Sequence, residues 1–167
     1  MRPSEIKILQ EQDRGRILPD VPMILVGMGT CGIGNGAGVV HDRIMRQIAE
    51  DGIECILKQT GCFGFCAEEP LVMLYRPGVP MLVYSKVNEK DAVRIVESIV
   101  KDRLCRSKLL CRIDRWDFLT SSVEFGKGYE DIPHWDEISF FKGQQKVVLR
   151  HAGLIDPEEI RDYIAVG

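Results

Sequence analysis

No apolar run in this sequence approaches the roughly 20 residues that a membrane-spanning helix requires. A basic excess is missing as well. The 22 Lys and Arg are set against 25 Asp and Glu, a formal net charge of −3, and no helix face collects a basic cluster. Nucleic acid is therefore not an expected partner. The opening stretch MRPSEIKILQEQDRGRILPD is too polar for a secretory signal peptide. No internal repeat and no low-complexity segment are found. These absences lead to the expectation of a cytoplasmic chain without a membrane span. In a reducing compartment structural disulfides are not expected, and closely spaced cysteines are more often metal ligands or redox groups. With 167 residues, 45% hydrophobic and 28% charged, there is material for one core.

What the chain does have is cysteine, at positions 31, 55, 62, 66, 105 and 111. Two of the six sit in 60-TGCFGFCAEEPLV-72, among glycines and phenylalanines. Their place in the fold follows from the pattern around them. The run 23-MILVG-27 is apolar without alternation, as in a strand buried on both faces. A glycine-rich stretch, 27-GMGTCGIGNGAG-38, follows, and glycine lets backbone approach closely there. Val40, Ile44 and Ile48 recur every fourth residue and predict an amphipathic helix over 37–50, stopped by Asp51-Gly52. A second strand is expected over 54–60. Beyond the cysteine loop, 71–75 and 80–86 flank Arg76-Pro77-Gly78, a hairpin turn. Asn88 caps a helix over 89–102 whose stripe is Ala92, Ile95, Val96, Ile99 and Val100.

The expected fold class is thus α/β: a thioredoxin-like β-α-β-β-β-α sheet with two covering helices, plus an irregular C-terminal extension. Residues 1–21 read as an arm and 103–140 as a linker that packs on a surface. The run 146-KVVLR-150 reads as a short strand, and Asp156-Pro157-Glu158-Glu159 opens a last helix.

A strand–helix–strand order implies a right-handed crossover between parallel neighbours. Cys31 then lies past the end of the first strand, and Cys62 and Cys66 past the end of the second. Strand ends about 5 Å apart bring the two loops together, and three thiols among glycines can enclose an iron–sulfur cluster. Phe63 and Phe65 would shield it. Each cysteine taken alone is more often core filler. Cys55 is assigned to the core, and Cys105 and Cys111 lack a glycine setting. A thiol-redox enzyme is disfavoured, because that chemistry uses Cys-x-x-Cys at a helix start and here the spacing is Cys-x-x-x-Cys.

The stretches 27-GMGTCGIGNGA-37, 59-QTGCFGFCAEEPLV-72 and 76-RPGVPMLVYSKV-87 resemble the thioredoxin-like [2Fe-2S] ferredoxin domain. They look most like the form at the N-terminus of the NADH-binding flavoprotein subunit of soluble NAD-linked hydrogenases and formate dehydrogenases, a subunit akin to one of respiratory complex I. The tail 140-FFKGQQKVVLRHAGLIDPEEIRDYIAVG-167 is similar to the lead-in of that subunit's flavin-binding domain. The resemblance implies a ferredoxin domain over 22–102, a flavin-domain lead-in over 141–167, and FMN and NADH sites only in a longer chain. It implies a [2Fe-2S] cluster with Cys31, Cys62 and Cys66 as metal ligands, no catalytic residues, and other redox subunits as partners. It also makes a cis peptide at Glu69–Pro70 a specific point to check, against a base rate of about 5% for X–Pro bonds.

Members with a well-understood cluster carry two cysteines in each loop. With Gly36-Ala37 fixing the register, those of the first loop fall on Gly27 and Gly32, and Cys31 is one place early. A fourth ligand would come from elsewhere in the chain, from a partner, or from a non-cysteine group such as the histidine of Rieske-type centres, His41 being one candidate. The alternative is a cluster-free module that docks the flavoprotein onto a catalytic subunit.

Overall fold

The structure is a computed structural model that describes residues 3–101, 103–117 and 122–166. Its centre is a five-stranded sheet in the order β2-β1-β3-β4-β5, built from β1 (Met23–Gly27), β2 (Ile56–Thr60), β3 (Val72–Tyr75), β4 (Met81–Tyr84) and β5 (Leu109–Ile113). Strands β1 and β2 are parallel neighbours, with Met23 opposite Ile56 and Gly27 opposite Thr60. Strands β3, β4 and β5 continue the sheet antiparallel. Helices α1 (Pro3–Asp13), α2 (Thr30–Gly34), α3 (Ala37–Asp51), α4 (Glu89–Val100) and α5 (Ile160–Val166) complete the main elements. No helix among the described residues is long and apolar enough to cross a membrane.

Side chains alternate across the sheet, and both faces are covered. Ile24, Val26, Val72, Leu74, Leu82 and Tyr84 meet Val40 and Ile44 of α3 and Ala92, Ile95 and Val96 of α4. Met23, Leu25, Met73, Tyr75, Met81 and Val83 meet Trp116, Phe141, Leu154 and Ile155 of the C-terminal extension. This double cover is why β1 is apolar at every position. Helix α4 starts with a reciprocal cap: Asn88 accepts from the Lys90 and Asp91 amides, and Asp91 accepts from the Asn88 amide. Replacing Asn88 with Ala should cost about 1 kcal/mol. It should lower the urea midpoint with an unchanged slope, and an unchanged midpoint would show that the cap contributes nothing.

Within the stretch expected as a linker the chain forms β5, with Cys111 and Ile113 buried, and the antiparallel pair β6 (Arg115–Asp117) and β7 (Ser122–Glu124). Two expectations are corrected. The run 146–150 is a series of turns and not a strand. Val148 is 89% exposed while Lys146 turns inward, so the run has no apolar face to lay on a sheet. The last helix begins at Ile160, three residues after Pro157, its expected first residue. Asp156 forms a side-chain turn to the Glu158 amide at 3.0 Å, and its own amide donates to Asp162 Oδ2 at 3.1 Å.

The two chain ends meet at the sheet. Arg16 of the arm pairs with Glu159 at 2.6 Å and Asp162 at 2.8 Å, and Lys58 of β2 reaches Asp162 at 2.6 Å. Arg161 pairs with Asp13 of α1.

Candidate metal centre

Because β1 and β2 run parallel, the chain leaves both at one edge of the sheet. From β1 it turns at Gly29 into α2, which carries Cys31 in its only full turn. From β2 it passes Gly61 to Phe65 and closes in a 3-10 turn, Cys66–Glu68. The loops touch: a Cβ on Gly29 would lie 3.0 Å from Cys62 Cβ. Cys31 Sγ is 3.0 Å from Cys66 Sγ, and Cys62 Sγ is 3.6 Å from it. All three sulfurs lie within 4.8 Å of one another. All six cysteines are free thiols.

The surroundings suit sulfur ligands. Gly64, at φ +94, turns its N–H to donate to Cys62 Sγ at 3.3 Å. An L side chain rarely adopts that backbone geometry. The thiols crowd each other, and contact with Cys31 first, then Cys62, pushes the Cys66 thiol up to about 12. A metal ion reverses that preference, since it binds the thiolates and releases the protons. Beneath the loop Phe63 is buried, against Trp116 at 5.4 Å and Phe141 at 5.2 Å between ring centroids. Phe65 stacks on Phe140 at 4.0 Å. Lys146 Nζ sits 3.3 Å from the Phe63 ring centre and donates to the Phe63 carbonyl at 3.0 Å. Burial pulls its ammonium down to about 8, and the neighbouring Cys111 and Cys62 hold it up.

The other cysteines stand apart from this group. Cys111 lies in the core, where burial pushes its thiol up to about 12. Burial does the same to Cys55, with the Ile24 backbone acting against it. Cys105 is buried in the layer under α3 and α4. His41 lies on α3 beside Asp42 at 3.5 Å and is not in the sulfur group. Two groups near the site were not singled out from sequence. Lys146 sits in a run read as a strand. Glu69 is an acid between a cysteine loop and an apolar strand, and that position was the available clue. The Glu69–Pro70 peptide is cis.

No family model matches the chain. It is 39% identical over 75 residues to a 2Fe-2S ferredoxin of Clostridium pasteurianum, an alignment covering 44% of this chain and 71% of that protein. The chain belongs to the [2Fe-2S] ferredoxin family. This ferredoxin-family chain is also 29% identical over 79 residues to the NADP-reducing hydrogenase subunit HndB of Solidesulfovibrio fructosivorans, covering 47% of this chain and 63% of that subunit. It therefore spans less than two thirds of that relative. Among solved structures, the thioredoxin-like [2Fe-2S] ferredoxin of Aquifex aeolicus aligns with TM-score 0.49 and 20% identity, covering 56% of this chain and 93% of that one. A second structure of the same ferredoxin aligns with TM-score 0.47 and 18% identity, over 55% of this chain and 97% of that one.

The residues of this ferredoxin-family chain fit the cofactor in its family name. Three soft thiol donors converge, the Gly64 N–H donates to one of them, and aromatic rings pack beneath the loop.

Proposed function

We propose that this chain is the electron-transfer iron–sulfur domain of a multisubunit NAD- or NADP-linked oxidoreductase. The observation that carries the reading is the convergence of the Cys31, Cys62 and Cys66 sulfurs within 4.8 Å at the shared edge of β1 and β2. When bound, a [2Fe-2S] cluster takes up and gives back one electron at a time. The chain's residues would do the rest. Cys31, Cys62 and Cys66 would hold the cluster. Cys66 is exposed, so the centre would lie at the surface, within reach of a redox partner. Phe63 excludes water from below, and the Lys146 ammonium would favour the extra negative charge of the reduced state.

The finer reading places this domain in a complex I-type NADH-binding flavoprotein subunit, with a ferredoxin core over 22–102, a connecting stretch over 103–140 and a lead-in to a flavin domain over 141–167. What supports it is the likeness of 153-GLIDPEEI-160 and 162-DYIAV-166 to that lead-in. The name of the hydrogenase subunit relative supports a multisubunit setting, and other redox subunits would be the partners. A second reading, a cluster-free docking module, is favoured by one observation, the presence of three thiols where four are usual.

Purification under argon and reconstitution with iron and sulfide separates the two. The first reading expects about two irons and two sulfides per chain, visible charge-transfer bands and an EPR signal on reduction. A colourless, iron-free chain overturns it.

A further inference from the structure

We infer that the Glu69 carboxylate is the fourth, oxygen ligand of the cluster. The inference rests on the reading of Cys31, Cys62 and Cys66 as the thiolate ligands.

A protein-held [2Fe-2S] cluster has four protein ligands, two on each iron. Three thiols are gathered here, and neither His41 nor Cys55, Cys105 or Cys111 joins them. Glu69 is next to the turn that carries Cys66, and its amide donates to the Cys66 carbonyl at 3.4 Å. The residue is 5% exposed. Oε2 accepts from the Leu71 amide at 2.7 Å, while Oε1 is buried with no hydrogen-bond partner. A buried carboxylate oxygen left unpaired is costly and calls for an explanation, an ion among them.

The carboxylate also lies where the first loop leaves room for it. A Cβ on Gly27 would meet Glu69 Oε2 at 3.0 Å and Oε1 at 3.1 Å. A Cβ on Gly32 would meet Oε2 at 3.3 Å and the Gly27 carbonyl oxygen at 2.1 Å. At Gly32 the Gly27 carbonyl by itself excludes a side chain, and at Gly27 the Glu69 carboxylate would have to shift to admit one. These two glycines bracket the loop that holds Cys31, and Gly32 is its immediate neighbour. The acid therefore borders the thiol loop from the protein interior, whereas Cys66 faces solvent. Its oxygens lie outside the 4.8 Å sulfur group and meet the Cys31 loop at Gly27 and Gly32. A carboxylate carries the same single negative charge as a thiolate, so the cluster keeps the net charge of four-thiolate ligation. It is a harder donor, and so changes the electronic structure of its iron.

The test uses the full chain reconstituted under argon, as wild type, Glu69→Gln, Glu69→Ala and Glu69→Cys. Circular dichroism and melting identify any variant that fails to fold, and Glu69→Gln keeps the shape of the side chain. Wild type is expected to load, with EPR g values distinct from those of Glu69→Cys, which becomes a four-thiolate cluster. Glu69→Ala and Glu69→Gln should lose iron by roughly tenfold or more, since removing even a ligand's supporting contact typically costs about 10–100-fold in metal affinity. Equal iron content and unchanged g values in folded Glu69→Gln and Glu69→Ala overturn the inference but leave the three-thiol site standing. A change of potential without a change in iron or g values also overturns it, because Glu69 is then a neighbour and not a ligand. Iron in Glu69→Cys but none in wild type shows that the position reaches the cluster and the carboxylate does not bind it. Iron in none of the four proteins overturns this inference and the thiol site together.

Discussion

Cys66→Ser is expected to leave the reconstituted chain nearly free of iron, a fall of roughly tenfold or more. Cys66 is the thiol in contact with both others, at 3.0 Å from Cys31 and 3.6 Å from Cys62. Serine keeps the size of the side chain but offers an alcohol that holds its proton far more tightly than a thiol does. The residue is exposed, so the fold has little to lose. Cys55→Ser is the matched control: Cys55 is half-buried and outside the sulfur group, so its iron content should equal that of wild type. Iron, sulfide and EPR amplitude read the outcome. Equal losses in both variants would mean that general destabilisation removes the iron. Equal retention in both would remove Cys66 from the ligand set. A docking module without a cluster would show no difference in binding to its partner subunit.

Asp162→Ala should destabilise the chain by about 3 kcal/mol, the lower end of what removing one partner of a buried ion pair costs. That corresponds to a melting temperature lower by about 6–12 °C for a chain of this size. The Asp162 side chain is fully buried, and it accepts from Lys58 at 2.6 Å, Arg16 at 2.8 Å and the Asp156 amide at 3.1 Å. Arg16 is 29% exposed and Lys58 12%, so both recover some water once abandoned, which is why the lower end applies. Burial alone would raise the carboxyl. The bonds from Lys58, the Asp156 amide and Arg16 outweigh burial and hold it below the ordinary range. With the folded value depressed, the stabilisation is present above the unfolded carboxyl value, near about 3.9. It is lost as pH falls through the folded value. Chemical denaturation between pH 7 and acid pH should therefore show a wild-type advantage that shrinks on acidification. A difference below about 1 kcal/mol at pH 7 would assign the cluster to the class of ion pairs that contribute little.

Much of the sheet could be read directly from the chain. The unbroken apolar run of β1, the Val40–Ile44 stripe of α3 and the Asn88 cap of α4 are local signals, and each points to the element it forms. The parallel β1–β2 pairing followed from the intervening helix, and with it the meeting of the two loops. Strand β5 was harder to see. It places only Cys111 and Ile113 fully inside and spends Arg112 on the Ile132 carbonyl and Asp114, so its alternation is short and interrupted by charge. The run 147–149 fails in the opposite direction, because a β-branched sequence forms a strand only when an edge is there to receive it. Glu69 was legible as an acid but not as a buried one. Its environment is built from Gly27 and Gly32, on a different loop, and no local pattern records that.

The clasp between the first and last helices has a kinetic side. Arg161 bonds Asp13 across 148 residues, Lys58 bonds Asp162 across 104, and the Gly153 amide bonds Thr60 across 93. Contacts of such separation pay their loop-closure entropy before any reward, so a topology rich in them folds slowly. On a ribosome adding roughly 5–20 residues per second, Asp13 would wait roughly 7–30 s for its partner. During that time both cysteine loops have emerged, while Phe141, Leu154 and Ile155, which cover Phe63 and the second face of the sheet, are still being made. The thiol loops thus exist as nascent chain before the aromatic floor beneath them closes.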